Sequence, residues 1–370
     1  MRSTEGTIKN RPSDFKVDEI PLYDPAGNGE HLYLGIRKVN VSHEELVRCI
    51  ARAFNVKPKS VGTAGRKDKC AITTQTISVH LPGQDPALPV LGEGLDILWS
   101  SRHCNKLRTG HLIGNRFSIM IRDIDPTCVT YLKKRLTAIK ESGLPNKFGP
   151  QRFGTSQNNH ILGEALLKRD WNKFAENLES NNQEADAHLL KLLSNGSSPE
   201  EICKKIHKPM RKLYLNAFQS MLFNQVLEER KNQGVLGVCQ IGDLAWCHVG
   251  RGGVFLVTKE ERIKDELSQR ESILEISPTG PIFGSKMRKP KGTIFALEQE
   301  VLNRSGVIES DFELLRKELP GTRRPLRVPV KKTGIIGGVD ENGNYVNIQF
   351  ALPSGSYATV LINELLNVLS

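Results

Sequence analysis

The stretch from Val61 to Val79 gathers residue types that could do chemistry. Small residues (Gly62, Ala64, Gly65) lead into a charged tip of Arg66, Lys67, Asp68 and Lys69. A β-like exit follows, with Ile77, Val79 and Leu81 on one side and Thr74, Thr76 and Ser78 on the other. Three cations around one carboxylate, on a Gly-flanked turn, make a local field that draws phosphates toward Asp68. Two readings fit. Asp68 is a turn residue capping nearby N–H groups beneath solvated cations, or it is a reactive carboxylate presented to a polyanion.

The elements that must hold this turn are legible from periodicity. Phe15 and Val17 mark a strand entered through a turn at Pro12, and Leu32, Leu34 and Ile36 mark a second. Ser42 and Glu45 form a capping box for a helix with Leu46, Ile50 and Phe54 on one face. Further strands are expected at Leu95–Trp99 and Phe117–Ile121, then a helix from about Pro126 that stops at Gly143. Between those two strands, Arg102, Lys106 and Arg108 sit in a loop without helical or strand period, suited to tracking a nucleic-acid backbone or simply solvated. A Gly/Pro-braced loop at 143–154 offers Asn146, Phe148 and Phe153, residue types that stack on bases, read their edges, or plug a core.

From about residue 158 the chain turns helical and charge-balanced, with a Ser/Asn/Gly-rich break at Ser194–Pro199. A helix from Arg211 to Lys231 buries Leu215, Phe218, Leu222 and Val226 and carries Gln219-Ser-Met-Leu-Phe-Asn224, read as scaffold. Loops are expected at 250–253 and 280–284. A tight turn at Asp340–Gly343, with Asn342 and Gly343 at its tip, leads to a strand with Val346, Ile348 and Phe350 alternating. Leu352 to Thr359 then opens a last helix with Leu361, Leu365 and Val368 inward, its N-terminus beside Ser354 and Ser356 a candidate anion site.

Composition bounds the class. The 370 residues suggest two domains, and a net charge of +11 with pI near 9.3 favours a polyanionic partner. Residues 158–321 hold 23 Lys+Arg against 23 Asp+Glu, whereas the flanking pieces hold 29 against 18. No apolar run is long enough for a membrane span, and the polar N-terminus lacks a signal peptide's core. Seven scattered cysteines without a Cys-x-x-Cys pair indicate a reducing compartment and no metal. With no Walker loop or dinucleotide fingerprint, no cofactor is expected.

Ala64-Gly-Arg-Lys-Asp-Lys-Cys-Ala-Ile-Thr-Thr-Gln75, Pro145-Asn-Lys-Phe-Gly-Pro-Gln-Arg-Phe-Gly154, Gln219–Asn224 and Pro353-Ser-Gly-Ser-Tyr-Ala-Thr359 occur in this order, and together they resemble the TruD-type tRNA pseudouridine synthases. The resemblance implies an α+β fold: a pseudouridine-synthase catalytic domain (1–157 plus 322–370), with a mixed, mostly antiparallel sheet flanked by helices, interrupted by a helix-rich TRUD insertion domain at 158–321. It implies Asp68 as nucleophile and Lys9 as an active-site lysine. It also implies Phe15, Asn146, Phe148 and Phe350 as substrate-binding residues, Phe148 standing where most pseudouridine synthases have tyrosine. Arg66, Lys67, Lys69, Arg102, Lys106 and Arg108 are then expected to contact the RNA backbone.

The implied reaction, uridine to pseudouridine in tRNA (at uridine 13 by resemblance), exchanges an N–C glycosidic bond for a C–C bond. It needs a flipped base, a carboxylate, aromatic walls and an amide to orient the loose uracil. The carboxylate can attack the sugar carbon, add to the ring, or take a ribose proton. The expected enzyme is a cytoplasmic monomer without membrane or obligate protein partner. The alternatives are a non-catalytic RNA-binding protein, or the same chemistry on mRNA or another small RNA.

Overall fold

The computed structural model describes residues 6–179, 187–250 and 253–366. It divides into two compact units, one formed by 1–140 with 329–370 and the other by 141–328. In chain order the first unit opens with strands β1 (Thr7–Ile8), β2 (Phe15–Pro21) and β3 (His31–Val39), helix α1 (His43–Ala53), and strands β4 (Val61–Thr63), β5 (Ile72–His80), β6 (Leu95–His103) and β7 (Leu112–Arg122). Helix α2 (Val129–Ser142) follows a short 3-10 turn at Pro126–Cys128.

The second unit then runs β8 (Leu144–Pro145), α3 (Asn159–Lys168), α4 (Trp171–Glu179), α5 (Ala187–Ser194), α6 (Pro199–Lys205) and α7 (Lys208–Asn232). It continues through β9 (Leu244–Cys247), β10 (Gly253–Leu256), α8 (Lys259–Ile263), α9 (Asp265–Ser272), β11 (Ile276–Ile282), α10 (Gly292–Arg304), α11 (Glu309–Leu314), β12 (Thr322–Pro325) and β13 (Arg327–Val328). The chain returns to the first unit for β14 (Lys331–Asp340), β15 (Gly343–Pro353) and α12 (Ala358–Leu366).

The first unit is built on one sheet in the order β14-β15-β7-β2-β5-β3-β6, with β1 also on β7 and β4 also on β5. Among the described residues β2 and β5 are parallel and the other pairings antiparallel, so the expected α+β class with a mixed, mostly antiparallel sheet holds. Leu46 and Ile50 of α1 pack with Leu34, Ile36, Ile77 and Val79 in one apolar core. Ser42 Oγ accepts from the Glu45 N–H and starts that helix.

Two interruptions in this sheet shape the surroundings of Asp68. Along β7, β1 pairs with 121–122 and β2 with 112–119, and the chain between them, from Lys9 to Asp14, leaves the sheet. Along the side of β5 away from β3, β2 pairs with 72–74 and β4 with 77–79. The loop joining β4 to β5 carries Asp68 and emerges at that second gap.

The second unit packs α3, α4, α6 and α7 around Phe174, Tyr214, Phe218 and Leu222, beside a sheet ordered β10-β9-β11-β12. Several expected boundaries move. The loop at 143–154, expected in the flanking piece, pairs β8 with β13 and clusters with 158–321. Redrawn on the observed units, the second holds 28 Lys+Arg against 24 Asp+Glu and the first 24 against 17. The apparently neutral block is therefore mildly basic. Of its added arginines, Arg323 and Arg327 are buried, Arg323 on Glu298 and Arg327 on the Ser142 and Glu271 carbonyls.

Gly280 to Ile282, read as loop, lie in β11, where Gly280 lets the strand press against Phe223 and Leu326. The hairpin tip is Glu341–Asn342, because Asp340 already pairs with Gly343. Leu361 and Leu365 are buried as expected, whereas Val368 and part of 250–253 lie outside the described residues. No helix among the described residues is long and apolar enough to cross a membrane.

Candidate active site

Asp68 combines a fixed backbone with an open side chain. Lys38, fully buried on β3, donates from Nζ to the Asp68 carbonyl at 2.6 Å and to the Val41 carbonyl at 2.7 Å. Burial pushes its pKa down to about 8, against the attraction of Asp68 and helped by Lys67. The neighbouring Lys67 turns inward and meets Glu19 Oε2 at 2.8 Å, both side chains nearly inaccessible. Glu19 Oε1 in turn accepts the Thr76 N–H at 3.2 Å, in the gap where β5 changes partners. Further out, the Ala64 carbonyl accepts from Gly110 N and the Ala71 carbonyl from Asn40 N.

With the loop held at both arms, the Asp68 carboxylate stays 46% exposed and its Oδ2 lies 2.5 Å from Lys9 Nζ, itself 29% exposed. Lys9 has a left-handed backbone (φ 64°), which turns the chain out of the sheet at the first interruption. Its ammonium also sits 4.4 Å from the centre of the Phe15 ring. Phe15 meets Phe117 edge to face at 6.4 Å, and Phe117 stacks on Phe350 at 5.2 Å. Register explains the row: Phe117 on β7 pairs directly with Val17 on β2 and with Phe350 on β15. Arg122 holds the turn before Phe15 through Asp14 (2.7 Å) and the hairpin through Asp340 (2.8 Å).

A separate polar cluster organises the loop 143–154 within the second unit. Asn146 donates from Nδ2 to the Pro325 carbonyl at 2.9 Å, and its Oδ1 accepts from Arg324 Nη2 at 2.6 Å. The Arg324 guanidinium lies 4.2 Å from the centre of the Phe148 ring, which meets Phe223 edge to face. Asn224 brackets the Phe148 backbone, accepting its N–H at 2.9 Å and donating to its carbonyl at 3.0 Å. Ser220 Oγ accepts from Arg152 Nε at 3.0 Å.

The family model described as tRNA pseudouridine synthase D matches residues 1–191 and 177–365. The chain belongs to that family. Relatives named tRNA pseudouridine synthase D include one from Syntrophotalea carbinolica, 35% identical over 98% of this chain and 96% of its own, and one from Geobacter metallireducens, 36% identical over 99% and 96%. A crystal structure from Methanosarcina mazei, of a protein provisionally assigned as tRNA pseudouridine synthase D, superposes with a TM-score of 0.77 at 25% identity, covering 98% of this chain and 94% of its own.

Against this family background the expected residues fall into groups. Lys9 joins Asp68 on one side and the Phe15 ring on the other within the first unit, and Phe15, expected as an aromatic wall, is itself buried. Phe350 joins them through Phe117, but it is fully buried, so the ring expected as an open aromatic wall packs as core. Asn146 and Phe148 lie together in the second unit, where Asn146 is buried and its amide already engages Pro325 and Arg324.

The expected backbone contacts also divide. Arg66, Lys69 and Arg108 are exposed, with Arg66 paired to Glu44. Lys67 is corrected to an internal ion pair, since a buried ammonium cannot reach a phosphate. Arg102 is partly buried and braces a loop, its guanidinium donating to the Leu81 carbonyl at 3.1 Å and to that of Gln84. Lys106 is half-buried and anchored on the Lys59 carbonyl.

Sequence reasoning missed Lys38, Glu19 and Phe117 as site residues. A signal existed: 32, 34, 36 and 38, like 15, 17 and 19, continue one strand face inward, and a charged residue on an apolar face is there for a partner. Asn224, read as scaffold, holds the second signature's Phe148 by its backbone.

Proposed function

We propose that this chain isomerises uridine to pseudouridine in tRNA, at uridine 13 by the family resemblance, with Asp68 as the reacting carboxylate. The observation that carries the reading is the pairing of an immobilised loop backbone with an accessible carboxylate beside Lys9. In the reaction the C1′–N1 bond breaks, the uracil turns, and C1′ bonds to C5; the C5 proton leaves and N1 ends protonated, so nothing is added or lost. Asp68 serves as the group that bonds to the nucleoside or takes its proton, and fixation of its backbone reduces the ordering cost of reaching that geometry.

Lys9 holds the carboxylate and has further N–H donors for negative charge that develops on the uracil as the glycosidic bond breaks. Phe15 supports Lys9 from below, with Phe117 and Phe350 fixing Phe15. Asn146 and Phe148 are substrate-contact candidates on the resemblance alone. The enzyme is proposed to act as a cytoplasmic monomer.

The test is single-turnover pseudouridine formation beside a tRNA binding isotherm for Asp68→Asn. The amide keeps size and polarity but cannot act as nucleophile or base. Binding is expected to persist and turnover to become undetectable. Substantial turnover in this variant would remove Asp68 from the mechanism.

A further inference from the structure

A cavity of about 460 Å³ in the first unit is lined by Tyr23, His103, Asn105, Lys106, Arg108 and His111, without a carboxylate among them. Its aromatic wall is built in. Tyr23 and His103 stack with ring centres 5.0 Å apart and planes 21° from parallel, and His111 meets Tyr23 edge to face at 5.8 Å. Hydrogen bonds lock the set: Tyr23 Oη lies 2.8 Å from His111 Nδ1, Tyr33 Oη donates to the Asn105 carbonyl at 2.9 Å, and Ala26 N donates to His103 Nδ1 at 3.2 Å. Since His103 Nδ1 accepts a backbone proton, Nε2 is that ring's donor. Arg108 is exposed and makes no ion pair among the described residues. Cations and ring N–H groups beside planar faces suit a phosphate flanked by a base.

The cavity is also braced on the strands that enter and leave the Asp68 loop. Leu107 N donates to Ser78 Oγ at 3.0 Å, and Gly110 N donates to the Ala64 carbonyl at 2.8 Å. At Gly62 a side chain would collide with the Leu107 carbonyl, at 2.3 Å. Loop and cavity therefore approach each other backbone to backbone.

We propose that this cavity is a subsite for one phosphodiester and its adjoining nucleotide of the substrate RNA, separate from Asp68, which fixes the strand's register on the enzyme. The proposal rests on the tRNA reading for the identity of the strand. A free phosphate or mononucleotide presents the same chemistry, and the experiment separates these sources.

The first arm measures tRNA binding across salt for the full chain, for Arg108→Ala/His111→Asn, for Lys133→Ala on an exposed face of α2, and for Asp68→Asn. The double variant is expected to bind about tenfold or more weakly and to lower the salt slope by roughly one phosphate contact, whereas Lys133→Ala leaves it unchanged. Equal slopes in the double variant and wild type, or equal losses in the double variant and Lys133→Ala, overturn the subsite. Turnover in Asp68→Asn reports separately on the isomerase reading, so the two ideas fail independently.

The second arm tracks the His103 and His111 ring resonances during titration with inorganic phosphate, uridine monophosphate or a short uridine-rich oligonucleotide. The oligonucleotide is expected to shift both rings. If phosphate or the mononucleotide alone reproduces those shifts, the cavity serves a free anion and the proposal falls.

Discussion

Lys9 over Phe15 and Arg324 over Phe148 are the same kind of contact, a cation 4.4 Å and 4.2 Å from a phenylalanine ring, one in each unit. They differ in what lies at the cation's polar end. Lys9 reaches an exposed carboxylate whose oxygens have no second cation partner among the described residues, while Arg324 spends donors on the carbonyl and side-chain oxygen of Asn146. A similar cation–ring distance can therefore present chemistry or hold a loop, depending on whether the charged end stays accessible. Residue type and spacing alone do not separate the two cases.

Four substitutions would break or sharpen that contrast. Phe350→Ala removes a fully buried ring stacked on Phe117 and should cost about 3–5 kcal/mol of stability by chemical denaturation. A variant of native stability that has lost only turnover would return Phe350 to substrate contact. Lys9→Met should lower single-turnover rate by about a hundredfold, the usual scale for losing one donor aimed at developing charge. Its partly exposed position predicts a stability change within about 0.5 kcal/mol. If stability falls while the rate holds, Lys9 belongs with Arg324 as a structural cation.

Arg324→Met should act the other way and cost about 1–3 kcal/mol, because the Asn146 oxygens lose a charged donor. Unchanged thermal and denaturant midpoints would contradict that. The smallest effect concerns Lys38. Its folded pKa of about 8 lies below the ordinary lysine value of 10.5, so between these limits the unfolded chain binds more protons and stability rises with pH. Between roughly pH 7.5 and 9 this should amount to about 1 kcal/mol. Lys38→Met should remove the rise, and an identical slope in both proteins would show that Lys38 is not its source.

Much of the first unit was legible in the sequence because its strands bury one face, and alternation reports that directly. Phe15, Val17, Leu34, Ile36, Val346 and Ile348 are all buried on schedule. The Asp68 tip was legible as an unusual field, but its fate was not. Lys67 and Arg66 are adjacent cations, and only the position of Glu19 across the sheet decides that Lys67 turns in. Similarly, nothing local to Arg102 announces the Leu81 and Gln84 carbonyls to which it donates. Composition changes near 158, whereas the packing of the Gly/Pro loop is decided by Arg324 and Asn224, which bind it from 178 and 76 residues away. Partnerships that long leave no local trace.

The sheet's connectivity also sets an order of events during synthesis. β7 takes β2 on one side and β15 on the other, yet Arg122 and Gly343 are separated by the whole second unit. At roughly 5–20 residues per second, β15 is translated some 10–45 s after β7. Throughout that interval β7 carries an unpaired edge, and Phe117 waits without its stacking partner. The second unit is contiguous and has no such delay, so it can be complete on the ribosome while the Asp68 half of the enzyme still lacks its last strands.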